Sequence, residues 1–287
     1  MKQVLFLIVI NLCFASIVFG TELEVRHVRP ESTTDQRHEY YISMLRLALK
    51  KTEELDGKFR LMATQTKMFQ SRGLEQLKKN KSVDIIWTMT SKEREAQLIP
   101  VRIPLLKGLL GHRIFIIRKG EESRFSRINT LVELKQLTAG QGSDWPDTQI
   151  LKANGIKVVG SVNYDDLFEM LKYKRFDYFP RGVNEPWAEV KSHPYSKLMV
   201  EKTLLLHYPA PIYFFVNKNN TDLAHRLERG LRIALKDGSF EQVFRHHPAN
   251  KEIFELANIK SRKVFRLHNP LLPEETPLQE KGLWYLP

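Results

Sequence analysis

Ser82-Val83-Asp84-Ile85-Ile86-Trp87-Thr88-Met89-Thr90-Ser91-Lys92-Glu93-Arg94 is the stretch on which the fold turns. Val83 to Trp87 is a short apolar run of the kind a buried strand needs. Directly after it the chain becomes polar, and Thr88, Thr90 and Ser91 offer hydroxyls. In open α/β sheets, ligands bind beyond the carboxyl ends of strands, where loops and helix starts expose hydroxyl and N–H groups. Arg94 follows at that place, and a guanidinium grips a carboxylate through two parallel, charge-assisted hydrogen bonds. The plainer reading is a surface arginine paired with Glu93 or Glu95. The residues alone leave both open.

Upstream of this block, Leu23 to Val28 alternates apolar and polar, as a half-buried strand does. A polar loop, Arg29 to Arg37, leads into helically spaced apolar residues from Tyr40 to about Leu55. Asp56-Gly57 is a turn signal, Phe59 to Ala63 a second strand, and Gly73 to Asn80 a short helix with a basic end. Strand–helix–strand–helix–strand predicts a parallel sheet with right-handed crossovers.

Downstream, the prolines of Ile99 to Pro104 forbid helix, and Gly111 to Arg118 reads as a strong strand. A second alternation follows. Asn129-Thr130 caps a helix over 131–137, Thr138 to Gln141 is a strand, and 144–154 a helix. Ile156 to Val159, the helix 163–173 and the strand Phe176 to Phe179 complete it. Leu204 to Leu206 and Ile212 to Val216 are extended. From Thr221 the chain is helical to about Ile259, with Leu223, Leu227, Leu231 and Leu235 on one face and a second helix opening at Gly238. The tail beyond Asn269 is proline-rich and reads as a surface wrap.

A chain of 287 residues with 42% hydrophobic content buries a large core, in one domain or two lobes. The net charge of +12 raises nucleic acid as a partner, but no basic run interleaves with aromatics, so the charge reads as a solvated surface that attracts anionic solutes. Met1-Lys2-Gln3 followed by the apolar run Val4 to Phe19 has the form of a cleavable signal peptide, residues 1–20. Loss of Lys2 takes the charge from +12 to +11, and loss of Cys13 leaves no thiol, hence neither disulfide nor thiol chemistry. The expectation is an exported, soluble, periplasmic monomer.

The opening block resembles the D-(apolar)-T-x-T-x-E-R segment of periplasmic solute-binding proteins of the amino-acid-binding class (family 3, type II), and the order of elements after residue 20 is similar to theirs. The resemblance implies an α/β fold: two lobes, each a mainly parallel sheet flanked by helices, joined by two crossing strands. Lobe 1 would be residues 21–112 and 208–287, and lobe 2 the inserted 113–207. The crossings would lie near 111–118 and 204–216.

The same resemblance implies ligand contacts at Thr88, Thr90 and Arg94, and at the Gly142-Ser143 turn that precedes a helix start, where free N–H groups and the dipole favour an anion. Trp145 is a candidate stacking wall. Plainer readings are that Ser143 or Asp144 caps the helix and that Trp145 packs between lobes. Two departures stand out. Trp87 sits where the relatives have a small residue, so it narrows the pocket or offers a stacking face. Arg181-Gly182 stands where an aspartate holds the ligand's ammonium group. Asn184 or Glu185 could substitute, or the ligand could be anionic at both ends and held by Arg94 and Arg181; a surface role for Arg181 is the plainer alternative. The first-lobe loop could add Arg29, Glu31 or Asp35, whereas Tyr40 belongs to the helix core.

Enzyme signatures are missing from the sequence. It has no Gly-x-Ser-x-Gly turn and no His-Glu-x-x-His motif, and His246-His247 is adjacent rather than helically spaced. No catalytic residue, metal or cofactor is expected. The partners expected are a small-molecule solute and either an ABC-type permease or, alternatively, a membrane sensor. An enzyme on the same fold ranks last, and nucleic acid is not expected.

Overall fold

The computed structural model describes residues 22–30 and 36–285, so the expected signal peptide, and Glu31 and Asp35, lie outside the described residues. In chain order the first part comprises β1 (Leu23–His27), α1 (Gln36–Lys50), α2 (Glu53–Asp56), β2 (Phe59–Ala63), α3 (Gln70–Lys78), β3 (Ile85–Met89), α4 (Lys92–Gln97) and β4 (Leu98–Val101). The middle carries β5 (His112–Arg118), α5 (Glu122–Ser126), α6 (Leu131–Leu134), β6 (Thr138–Gly142), α7 (Pro146–Ala153), β7 (Lys157–Ser161), α8 (Tyr164–Lys172), β8 (Phe179–Gly182), α9 (Pro186–Ser192), β9 (Leu198–Val200) and β10 (Leu204–His207). The last part holds β11 (Ile212–Asn217), α10 (Thr221–Lys236), α11 (Ser239–His246), α12 (Lys251–Glu255) and β12 (Lys263–Arg266).

The first sheet runs β2-β1-β3-β11-β4. β1, β2 and β3 are mutually parallel, as the alternation of strands and helices requires, and β11 returns antiparallel between β3 and β4. Asp84, the first acidic residue of the opening block, locks this sheet rather than facing a ligand. Its carboxylate accepts from Arg26 Nε at 2.8 Å and Nη2 at 2.6 Å, and from the Arg26 backbone N–H at 2.8 Å. Pro100 lies in β4, the edge strand, where a missing N–H leaves no central ladder bond unmade.

Helices α1 and α10 pack closely over this sheet, burying Tyr40, Met44, Leu45 and Ala48 against Leu223, Leu227 and Leu231. Gly230 permits the approach: a Cβ there would lie 1.9 Å from the Ala48 carbonyl oxygen. Gly230→Ala must therefore push the helices apart, against the usual gain of alanine over glycine in a helix. The expected loss is about 1–3 kcal/mol, read as a lower urea midpoint; an unchanged midpoint would show that the helices give way freely.

The second sheet runs β12-β10-β5-β8, with β9 pairing β5. The β6–β7 parallel pair joins it through a parallel bridge between Ala139 and Tyr178. Two expectations shift here. Strand β8 covers 179–182, three residues later than the apolar run suggested, because the ladder to β5 aligns only from Ile116↔Phe179 to Arg113↔Gly182. Arg181 consequently sits within the strand. The boundary that assigned all of 208–287 to the first lobe also needs correcting. Strand β12 lies parallel to β10, Leu204↔Lys263 through His207↔Arg266, and extends the second sheet.

The chain passes between the sheets after β4 and again after β10. The passages touch where the Tyr208 N–H donates to the Gly111 carbonyl at 3.1 Å, and a Cβ on Gly111 would lie 2.0 Å from the Tyr208 oxygen. The chain crosses again between β11 and β12, and the tail makes a fourth passage: Asn269 Nδ2 donates to the Pro209 carbonyl at 2.7 Å, the Lys92 N–H to the Leu271 carbonyl at 2.9 Å, and Trp284 packs on Gly108.

His112 and His207 pair in register across the first two passages, with ring centroids 4.6 Å apart. Burial, with the neighbouring His207 and Arg266 adding to it, pulls the His112 pKa from 6.5 down to about 4. Between these values the unfolded chain holds the proton and the folded chain does not, so stability falls as pH drops from 6.5 to about 4 and levels off below. The loss is on the order of 2–3 kcal/mol. Urea midpoints at pH 7 and pH 4.5 should converge in His112→Asn relative to the parent; an equal loss in both would refute the assignment.

Candidate functional site

Between the two sheets lies a cleft with a cavity of about 190 Å³. That is below the range usual for drug-sized ligands and suits a small one. One wall comes from the end of β3 (Trp87, Thr88, Met89), from α1 (Arg37, His38, Tyr41) and from the start of α3 (Phe69, Gln70). The opposite wall comes from Arg113 of β5, Trp145 to Asp147 at the start of α7, Tyr164, Arg181 and Glu185.

Trp87 is a built aromatic wall. It stacks on Tyr41 with centroids 5.5 Å apart at 23°, and His38 meets it edge-on at 5.0 Å. His38 is held in turn by its Nε2 against the Val28 carbonyl at 2.9 Å, which His27 Nδ1 also approaches at 2.9 Å.

Arg94 lies behind β3, beside the cavity lining. Ser91 caps α4 by accepting from the Arg94 backbone N–H, which turns the side chain back toward the strand end. Its Nη1 donates to Thr88 Oγ1 and to the Met89 carbonyl, both at 2.7 Å, and Nη2 donates to Gln70 Oε1 at 2.7 Å. All three acceptors are neutral. Neither Glu93 nor Glu95 pairs with it: Glu95 is held by Arg102 and by the Thr90 hydroxyl. Thr90 is thus part of a buried structural lock and stays out of the cavity lining. Burial pulls the Arg94 pKa down to about 10, with Asp144 and Asp147 opposing the shift. At neutral pH it is a partly desolvated cation with no carboxylate partner among the described residues, which favours an anion.

The opposite wall is organised around Arg181, which is 3% exposed. Its guanidinium lies 4.8 Å from the rings of Trp145 and Phe179 and binds Glu189 through Nε at 2.9 Å and Nη2 at 2.7 Å. Glu185 adds a contact at 3.0 Å, and the Tyr164 hydroxyl donates to Glu189 at 2.7 Å. Burial opposes the Glu189 charge, but Arg181 and Arg37 outweigh it and hold the carboxyl below its usual range. Arg181 is saturated by the protein's own carboxylates.

Arg37 reaches across the cleft, donating Nη1 to Glu185 at 2.8 Å and to Glu189 at 3.1 Å. It ties α1 to the carboxylates at and within α9. Arg37→Ala is expected to raise the radius of gyration of the ligand-free protein in small-angle scattering, because opening no longer separates these charges. Superimposable curves would contradict a tether.

Of the eight residues singled out in the sequence, Trp87, Thr88, Trp145 and Arg181 line the cavity, and Arg94 braces it. Thr90, Gly142 and Ser143 lie outside the lining. Gly142 seats the Trp145 ring, which a Cβ would meet at 2.4 Å. Ser143 is exposed, and α7 begins after Trp145 with no side-chain cap, so neither Ser143 nor Asp144 caps it. Arg29 is an exposed lining residue donating to the Gln65 carbonyl. Arg37, Arg113, Asp147, Tyr164 and Glu189 escaped sequence reasoning. The one local signal was Arg113, a charge next to the apolar run Ile114 to Ile117.

No family model and no curated protein matches the chain. Solved structures do. An ancestral arginine-binding protein bound to arginine is 19% identical, with a TM-score of 0.58, over 80% of this chain and 99% of that one. A periplasmic binding protein of Salmonella typhimurium with high arginine specificity is 16% identical (TM-score 0.57; 77% and 97% covered). A binding component of an ABC transporter from Wolinella succinogenes, complexed with lysine, is 16% identical (TM-score 0.58; 82% and 98% covered). The chain shares their two-lobed type II periplasmic binding protein fold.

Proposed function

We propose that this chain is an exported solute-binding protein whose two lobes close over a small, carboxylate-bearing solute for delivery to an ABC-type permease. The observation that carries the reading is Arg94: a guanidinium at the end of β3, beside the cleft, bonded among the described residues only to neutral acceptors. A carboxylate offers the charge and the bidentate geometry it lacks. Arg29 and Arg113 add positive charge to the cavity lining, whereas Arg37 and Arg181 are paired with Glu185 and Glu189. Trp87 and Trp145 would enclose the solute from opposite lobes, and contacts made only when the lobes meet would stabilise closure. The fold shared with amino-acid-binding components of ABC transporters points the same way.

The test is a thermal-shift screen of residues 21–287 against amino acids, dicarboxylates, sugars and short peptides, beside Arg94→Ala. Ligand in excess raises stability with the logarithm of its concentration over Kd. A carboxylate that shifts the parent and not the variant is the expected result. Shifts only from sugars, or no shift at all, would remove the carboxylate reading.

A further inference from the structure

Arg113 is a buried cation with an unfinished set of bonds. It is 3% exposed, on the first strand of the second sheet, and it lines the cavity. Five N–H groups radiate from a guanidinium. Arg113 Nη2 lies 2.7 Å from Asp147 Oδ1, Nη1 lies 3.7 Å from Glu185, and the Tyr208 ring centre is 5.6 Å away. Its Nε has no partner among the described residues. Buried donors without acceptors are costly, and native proteins leave few of them.

The neighbouring carboxylates are shared with other donors. Asp147 accepts the Tyr208 hydroxyl on the same oxygen that faces Arg113. Glu185 accepts from Arg37 and from the Gly182 N–H, and also contacts Arg181. Arg181, by contrast, has the bidentate partner that Arg113 lacks. Two guanidiniums therefore lack a bidentate carboxylate among the described residues, Arg94 beside the cleft on one lobe and Arg113 in its lining on the other.

Resting on the carboxylate reading above, we propose that Arg113 is the second anion-binding residue, and that the solute is a small dicarboxylate. One carboxylate meets Arg94 and the other meets the Arg113 guanidinium, whose Nε is unpartnered among the described residues. Arg181 serves as a structural cation behind Trp145. A solute of this kind spans the lobes with an anion at each end.

The test compares four- and five-carbon dicarboxylates with their mono-amides, which keep size and lose one charge, by calorimetric titration of the unmodified chain. The dicarboxylates are expected to bind about 10- to 100-fold more tightly, the range of a charged hydrogen bond removed. Arg113→Gln should abolish that preference, while Arg113→Lys should retain part of it. Equal affinity for acid and mono-amide in the unmodified chain overturns the dicarboxylate assignment and leaves the carboxylate reading standing. That comparison needs no variant, so misfolding of Arg113→Gln does not protect the idea. A preference that survives in a folded Arg113→Gln overturns the role of Arg113. If no carboxylate binds, both readings fall together.

Discussion

Glu189→Ala is expected to destabilise the protein by about 3–5 kcal/mol, the cost of breaking a buried ion pair by removing one partner. Glu189 is 4% exposed and serves three groups at once, Arg181, Arg37 and the Tyr164 hydroxyl. Its loss leaves Arg181 buried among Trp145, Phe179 and Tyr164, with Glu185 as its one remaining anion among the described residues. Glu189→Gln keeps an acceptor for Tyr164 but not the charge, and should fall between the parent and the alanine variant. Because the Glu189 carboxyl is held below its usual range, its contribution is full above the unfolded value of 4.5 and drains away as pH falls. The gap between parent and Glu189→Ala in urea should thus be wide at pH 7 and narrow in acid. A gap under about 1 kcal/mol at pH 7, the worth of an exposed pair, would mean that water reaches the cluster.

The second large effect concerns binding. Arg94→Ala should weaken the carboxylate solute about 100-fold or more, as expected when a charged, hydrogen-bonded partner is truncated. Folding should suffer less, by about 1–2 kcal/mol, since Thr88, Met89 and Gln70 are neutral acceptors and no buried carboxylate is left unpaired. Arg94→Lys separates charge from geometry. A lysine keeps the positive charge but not the planar fork, so it should restore part of the affinity and little of the selectivity for carboxylates. Calorimetry of both variants checks this, and unchanged affinity in a folded Arg94→Ala would move the site away from β3.

Most of the fold was legible because its signals are local. The apolar run before Thr88 and the run from Gly111 to Arg118 became central strands, and Thr130 caps α6 with a reciprocal bond from Glu133. Strand β12 was hidden for the opposite reason. Lys-Val-Phe-Arg is four residues long with only Phe265 buried, and it becomes a strand because β10 lies open beside it. The site divides the same way. Trp87, Thr88 and Arg94 share one strand and one turn, and the spacing of a short motif records their proximity. Arg37 and Glu185 are separated by 148 residues, and no local pattern registers a bond of that range. Arg181 shows the limit of a single position. Its replacement of an expected aspartate was visible, but the carboxylates that neutralise it sit four and eight residues later, on a helix whose facing direction depends on the fold.

Trp87 and Trp145 line the cavity from opposite lobes, whereas Trp187 and Trp284 lie outside its lining. This placement allows a direct test that the cleft is the solute site. The solute selected by the thermal screen is titrated into a Trp187→Phe, Trp284→Phe chain while tryptophan emission is followed. A saturable change in emission, with a midpoint matching the calorimetric Kd and lost in Arg94→Ala, is the predicted result. Saturable heat with unchanged emission would place the solute elsewhere on the protein and contradict the account.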